Sequence, residues 1–450
     1  MILDTLIRKA TLINEGKEFQ ADVWIHNGRI QKVGTISMEE LPTDSILIDG
    51  TGKYLIPGVI DEHVHFRDPG ATHKGDMESE SRAAVLGGIT SYLDMPNNNP
   101  PAISRRALEE KMATAQEKSW ANYGFYLGLN NNNQDEAFAL DLKRHCGIKL
   151  FMGSSTGNML VDREETLKKL FQDFPGVMGL HCEDELCIRQ ATEAAKATYG
   201  TEIPFEQHPF IRSREACIRS TAKAIELAKD GACHIHLMHI STAEEIDLIR
   251  EAKKTQSHIT AETCPNYLWF DDRDYERLQY KLKCNPAIKA ASDRTALLQA
   301  VREGIIDTIG TDHAPHLLEE KQQNYLQSPS GLPSIQFSLA VMVELALQGN
   351  FSLPTLVERM CHAPARIYGI EQRGFIREGH FADLVLISID PEHKTTVTTE
   401  QLAGKCGWSP YEGCEFSTKV EYTWVNGKAV VANSQLQNIE KPGIALTYKR

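Results

Sequence analysis

Two histidines separated by one residue in a buried strand can share a metal ion, and this chain reads Asp61-Glu62-His63-Val64-His65. Alternation along a strand puts His63 and His65 on one face, where two imidazoles can chelate one cation. Alone, such a pair is a weak signal, because one of the two can simply be a satisfied core histidine. Lys149 lies inside the apolar run Gly147-Ile148-Lys149-Leu150-Phe151. A lysine cation is costly to bury. Either it is ion-paired, or burial depresses its pKa and the neutral amine adds CO2, giving a carbamate. His181 and His239 close two further apolar runs, and Asp312 stands in Gly310-Thr311-Asp312-His313-Ala314-Pro315-His316. Two histidines plus a carboxylate suit Zn2+ or a similar divalent ion, and this set is large enough for two such ions. His234 and His236 lie lower on the run that ends at His239 and are assigned to deeper layers of the core. His73, His208, His258, His362 and His393 fall in loops or helices and receive no role, and His145 is taken as structural.

The elements that must position these residues follow from hydrophobic patterning. Strands are expected at 59–65, 91–95, 124–129, 148–152, 177–181, 234–240, 259–263 and 308–311. Amphipathic helices are expected between them, for example at 104–118, 163–171, 214–229 and 243–253. Eight consecutive βα units predict an α/β fold, a (β/α)8 TIM-type barrel, with active-site residues at the C-terminal ends of the strands. The candidate ligands then sit on strands one, four, five, six and eight. An open doubly wound sheet is the structural rival, but no Gly-rich dinucleotide fingerprint follows the first strand. Both chain ends read as short strands with hairpin turns at Asn27-Gly28 and Asn426-Gly427. The expected organisation is a β domain from residues 1–54 and 367–450, a small β-sandwich, split by a barrel over 55–366.

Composition sets outer bounds. Of 450 residues, 48 are Lys or Arg and 61 are Asp or Glu, a formal net charge of −13. That argues against nonspecific nucleic-acid binding and against an anionic membrane surface. No run of 18 apolar residues is present, so no membrane span is expected. The opening Met1-Ile2-Leu3-Asp4 lacks the basic and apolar regions of a secretory leader. The ten cysteines form no Cys-x-x-Cys pair and read as buried free thiols, in keeping with a reducing cytoplasm.

The motifs together resemble those of the amidohydrolase superfamily, and among its cyclic amidohydrolases those of the dihydroorotases. Residues 61–70 are similar to the HVHxRxPG motif. Asp94-Met95-Pro96-Asn97-Asn98-Asn99-Pro100 is similar to DMPNTxP, and residues 311–316 match TDHAPH. The resemblance spans the chain, including the split β domain. It implies that His63, His65 and Asp312 bind the more buried of two metal ions, and His181 and His239 the second. A carboxylated Lys149 and a hydroxide would bridge them. It further implies that Arg67 and Asn97 hold a substrate carboxylate, with Asn285 and His316 as additional substrate contacts. The implied reaction is reversible cyclisation of N-carbamoyl-L-aspartate to L-dihydroorotate, with hydroxide attack on the ring carbonyl and Asp312 shuttling the proton.

Hydantoinases place a tyrosine five residues after the carbamate lysine; here that position is Ser154. Hydantoinases also lack an arginine two residues beyond the HxH pair; allantoinases share it but carry a leucine between proline and asparagine in the second motif, whereas Asn97 follows Pro96 directly. Gly331-Leu332-Pro333-Ser334-Ile335-Gln336 departs from the usual dihydroorotase GxxGxET run. One dihydroorotase branch also has aspartate in place of the carbamate lysine. Catalytically inactive scaffold relatives have usually lost metal ligands, and all six positions are intact here. The family also implies a homodimer or homotetramer, and association with aspartate transcarbamoylase in some members.

Overall fold

The computed structural model describes residues 3–153, 159–229 and 231–450. Its centre is an eight-stranded parallel sheet in strict chain order, Val59–Val64, Ile89–Asp94, Asn122–Gly128, Gly147–Phe151, Val177–His181, His234–Leu237, Ile259–Thr263 and Thr308–Ile309. The sheet closes because Val64 bridges to His313, with the His65 N–H donating to the His313 carbonyl at 2.8 Å. This is the expected (β/α)8 barrel, and its strands are almost wholly buried, as a parallel sheet covered by helices requires.

The helices begin where capping chemistry places them. Ser104, Ser213 and Thr242 accept hydrogen bonds from the backbone N–H groups of Ala107, Ala216 and Glu245, starting helices Arg105–Lys118, Arg214–Ala228 and Ala243–Lys253. Such caps satisfy donors that the first helical turn leaves open. Two strands end earlier than alternation alone predicts. The sixth stops at Leu237, and His239 takes a left-handed backbone with φ 43°. The eighth stops at Ile309. The Thr311 N–H and hydroxyl bond instead to the Asp61 carboxylate at 3.0 and 2.6 Å, so a buried side chain replaces the ladder there.

The chain ends share a single nine-stranded sheet. Thr5–Asn14 pairs antiparallel with Lys17–His26, and the hairpin after it turns at Asn27-Gly28 with φ 49° and 79°. A bulge at Lys9 (φ 57°) splits the first strand, so its first half pairs with Ile46–Asp49 and its second with Tyr54–Pro57. Leu384–Ile389 then joins antiparallel to Tyr54–Pro57 and to Thr418–Val425, which stitches the two ends together. Tyr54–Pro57 belongs to this sheet, and the barrel begins two residues later at Val59.

The C-terminal part also reaches the barrel mouth. Trp408 Nε1 donates to the His316 carbonyl at 2.7 Å, and the Tyr411 hydroxyl to Asn266 Oδ1 at 2.6 Å. All ten cysteines are free, eight of them buried. Among the described residues, no helix is long and apolar enough to cross a membrane.

Candidate active site

A cavity of about 310 Å³ opens at the C-terminal end of the barrel. All ten residues singled out above line it: His63, His65, Arg67, Asn97, Lys149, His181, His239, Asn285, Asp312 and His316. Ser154, the position that distinguishes hydantoinases, lies outside the described residues.

On the first-strand side, His63 Nε2 and His65 Nε2 stand 3.2 and 3.0 Å from Asp312 Oδ1. The other ring nitrogens are engaged: His63 Nδ1 lies 2.8 Å from Glu262 Oε1, and His65 Nδ1 lies 2.6 Å from Asn97 Oδ1. Each acceptor holds the proton on Nδ1 and turns an Nε2 lone pair toward the common point, as outer partners of metal-bound histidines do. On the far side, His181 Nδ1 and His239 Nε2 stand 2.9 Å apart, and His181 Nε2 faces Glu183 at 3.0 Å. Donor atoms bound tetrahedrally at about 2.0–2.1 Å are separated by roughly 3.3 Å. Both sets of donors are therefore spaced for divalent cations. The two sets adjoin, with the His63 and His239 rings 5.4 Å apart. Burial holds His65, His181 and His239 below the usual imidazole range, which favours the neutral form a metal ligand requires. Burial alone would raise Asp312, but His63 and His65 hold it below the ordinary carboxylate value.

Lys149, on the fourth strand, lines the same cavity and is only 1% exposed. Its ladder neighbours are Gly128 and Gly179. A Cβ on Gly179 would fall 2.6 Å from Met238 Cε, so the glycine makes room for Met238. Lys149 Nζ donates to Met238 Sδ at 2.9 Å rather than to a carboxylate. Burial brings its pKa down to about 8, which populates the neutral amine that carbamate formation requires.

Arg67 and His316 form one wall. Arg67 is partly buried; its Nε donates to the Pro315 carbonyl at 3.1 Å, and its Nη2 lies 3.0 Å from His316 Nε2. Among the described residues, no carboxylate comes within ion-pair distance of Arg67. Burial first, then Arg67 and Lys74, hold His316 well below the usual histidine range. The run 331–336, which departs from the expected motif, takes part in this region. Gly331 lines the cavity, and the Ser334 hydroxyl donates to the Thr311 carbonyl at 3.0 Å.

Two residues that carry weight here, Glu262 and Arg212, were not identified from the sequence. Glu262 accepts from His63 Nδ1 and from the His239 N–H at 3.1 Å, so one carboxylate serves both sets of ligands. A Cβ on Gly310 would lie 2.7 Å from Glu262 Oε2, which is why glycine precedes the eighth-strand motif. Arg212 lines the cavity opposite Arg67. His236, assigned to a deeper layer, lies in a fully buried group with Glu62 and Glu262 below the mouth, their ligand atoms all within 4.8 Å of one another. His234 is at the far end of the same strand, with Nε2 2.9 Å from the Thr260 hydroxyl.

A barrel whose strand ends carry these candidate metal-binding donors has the layout of a hydrolase site, and residues 54–430 match the amidohydrolase family. The chain belongs to that family. It is 29% identical over 434 residues to a dihydroorotase of Methanosarcina acetivorans, covering 94% of this chain and 90% of that one. It is 31% identical over 448 residues to an allantoinase of Deinococcus radiodurans, covering 97% of each. Among solved structures, the L-hydantoinase (dihydropyrimidinase) of Arthrobacter aurescens superposes with a TM-score of 0.93 at 26% identity, covering 99% of this chain and all of that one. These are cyclic amidohydrolases, and the protein is a hydrolase of that group.

Proposed function

We propose that the protein is a dihydroorotase, interconverting N-carbamoyl-L-aspartate and L-dihydroorotate plus water in pyrimidine (UMP) synthesis. The observation that carries this reading is Arg67, a guanidinium facing the cavity without a carboxylate partner. Such a cation fits a substrate bearing a carboxylate on the ring that contains the scissile amide. Dihydroorotate has that carboxylate, whereas allantoin and hydantoin are uncharged rings. Dihydroorotase and allantoinase relatives stand at similar identity and share the arginine, so the choice between those two rests on Asn97 following Pro96 directly.

His63, His65 and Asp312 would hold one divalent ion, His181 and His239 a second, with zinc the first choice for these donors. Lys149, as its carbamate, would add a further carboxylate ligand. When bound, such ions lower the pKa of water and polarise a carbonyl. Asp312 is held ionised against burial by the adjacent imidazoles. It is thus able to take a proton from the attacking water and return it to the leaving nitrogen. Arg67 and Asn97 orient the ring by its carboxylate, and Asn285 and His316 add contacts from two other loops. Ten free cysteines support a cytoplasmic setting.

The test is a rate comparison of dihydroorotate, allantoin and hydantoin on metal-replete protein. Dihydroorotate should lead by at least about 100-fold in kcat/KM, a difference of about 2.7 kcal/mol in transition-state binding. A lead for allantoin would move the assignment to allantoinase.

A further inference from the structure

The wall facing Arg67 carries a second guanidinium. Arg212 follows the short helix His208–Ile211 in the loop after strand five, and the residue is nearly inaccessible, at 6% exposure. Its Nε donates to Asn285 Oδ1 at 2.9 Å, and its Nη2 lies 3.4 Å from Glu183 Oε2. Glu183 in turn faces His181. Arg212 therefore ties a loop-five carboxylate to a loop-seven amide across the cavity mouth.

Two consequences follow from donor and acceptor inventories. Asn285 has its oxygen occupied by Arg212, so its amide NH2 is the group left for a ligand. Arg212 Nη1 has no hydrogen-bond partner among the described residues, and the side chain lines the cavity. This wall thus offers only N–H donors. Its charge also differs from that of the opposite wall. Arg67 has no carboxylate at ion-pair distance, whereas Glu183 offsets the charge of Arg212. An unbalanced guanidinium favours an anion; a balanced one next to an amide NH2 favours a neutral acceptor with two lone pairs, such as a carbonyl oxygen.

We infer that Arg212 and Asn285 form a subsite for a neutral carbonyl of the substrate, specifically the urea-type carbonyl between two nitrogens, with Arg212 also fixing the orientation of the Asn285 amide. The carbonyl subsite follows from the geometry of this wall. Its identification with the ring ureide of dihydroorotate rests on the function proposed above. Arg212 is thereby a specificity residue acting on a different substituent of the ring from Arg67.

The test uses two probes that each carry half of the substrate's features, titrated into metal-loaded protein and followed by ligand-observed NMR. Hydantoin has the urea-type carbonyl and no carboxylate; succinate has carboxylates and no urea group. Arg212→Lys keeps a cation beside Glu183 and so preserves the ion pair, but loses the fork; Asn285→Ala removes the amide. Each should weaken hydantoin binding about tenfold or more, the scale of losing a charge-assisted hydrogen bond, and leave succinate within about twofold. Arg67→Lys should show the reverse pattern. Equal weakening of both probes by Arg212→Lys, or no weakening of hydantoin, overturns the subsite, as does a wild-type protein that fails to bind hydantoin. Wild-type protein that binds hydantoin in an Arg212-dependent way but ignores succinate would uphold the subsite and overturn the dihydroorotase reading instead.

Discussion

Glu262→Gln isolates the residue that joins the two sets of candidate ligands. Glu262 is completely buried, and its Oε1 takes the His63 Nδ1–H at 2.8 Å and the His239 backbone N–H at 3.1 Å. Burial would raise its pKa, yet the His63 and His236 imidazoles hold it well below the ordinary glutamate value, so the acceptor is a carboxylate. Glutamine preserves volume and an acceptor oxygen but removes the charge. Charge-assisted hydrogen bonds contribute about 1.5–3 kcal/mol against about 0.5–1.5 for neutral ones. Weakening the bond to His63 therefore costs about 1–1.5 kcal/mol, and the bond to His239 adds a smaller loss. The sum, roughly 1.5–2.5 kcal/mol, corresponds to about 10- to 70-fold, inside the range seen when outer partners of metal-bound histidines are changed.

The measurement is metal affinity by competition with a chromophoric chelator, read for both ions. Both should weaken, because one oxygen serves a histidine in each set. Asp293→Asn is the control: Asp293 is equally buried but pairs with Arg214 and caps the Ala243 N–H, away from the cavity. It should lower thermal stability and leave metal affinity unchanged. Glu262→Gln with both affinities within twofold of wild type would refute the role assigned to Glu262, and loss at only one ion would refute its joining of the two sets.

Arg67→Lys keeps the charge and loses the fork, and kcat/KM on dihydroorotate should fall roughly 30- to 1,000-fold, about 2–4 kcal/mol, with metal content unchanged; near-normal turnover would remove the carboxylate clamp. Lys149→Ala should abolish activity, with concentration-dependent rescue by acetate or propionate when metal is supplied and none by amines of similar size; better rescue by amines would make Lys149 a paired cation. His234 is held down to about 4, chiefly by burial, against about 6.5 unfolded. The unfolded state then binds more protons between these values, so stability is fully present above about pH 6.5 and falls by up to about 3 kcal/mol toward pH 4. His234→Asn should flatten that part of a urea-denaturation pH profile and leave metal content intact; an unchanged slope would assign the pH dependence elsewhere.

The barrel was legible because each strand is a short, nearly uninterrupted apolar run, and because a polar residue closing such a run has few other reasons to be there. His63, His65, His181 and Asp312 were found in that way. Glu262 was not, although it sits in a recognised strand. It lies 199 residues from His63, and no local pattern marks a carboxylate as the partner of a distant imidazole. Arg212 was hidden for a related reason: it lies in a loop without motif or period, and only the fold brings it to Asn285. The support of His316 by Trp408 was equally out of reach, since it joins the barrel mouth to a segment assigned to the other domain.

The early strand endings show where local preference yields to the site. Arg67, His239 and Asp312 all have left-handed backbone, with φ 66°, 43° and 47°, and none is glycine. Such conformations cost of order 1–3 kcal/mol each and persist only where surrounding contacts enforce them. Glycine would relieve the strain but supply no guanidinium, imidazole or carboxylate. The enforcing contacts are present beside each residue. The His65 N–H is tied to the His313 carbonyl, the His239 N–H to Glu262, and Thr311 to Asp61 by two hydrogen bonds. Asp61, raised to about 6 by burial, and Glu262 thus keep two strand ends off the regular path. The turn of backbone past each end is what points His239 and Asp312 into the cavity, and alternation along a strand could not have indicated it.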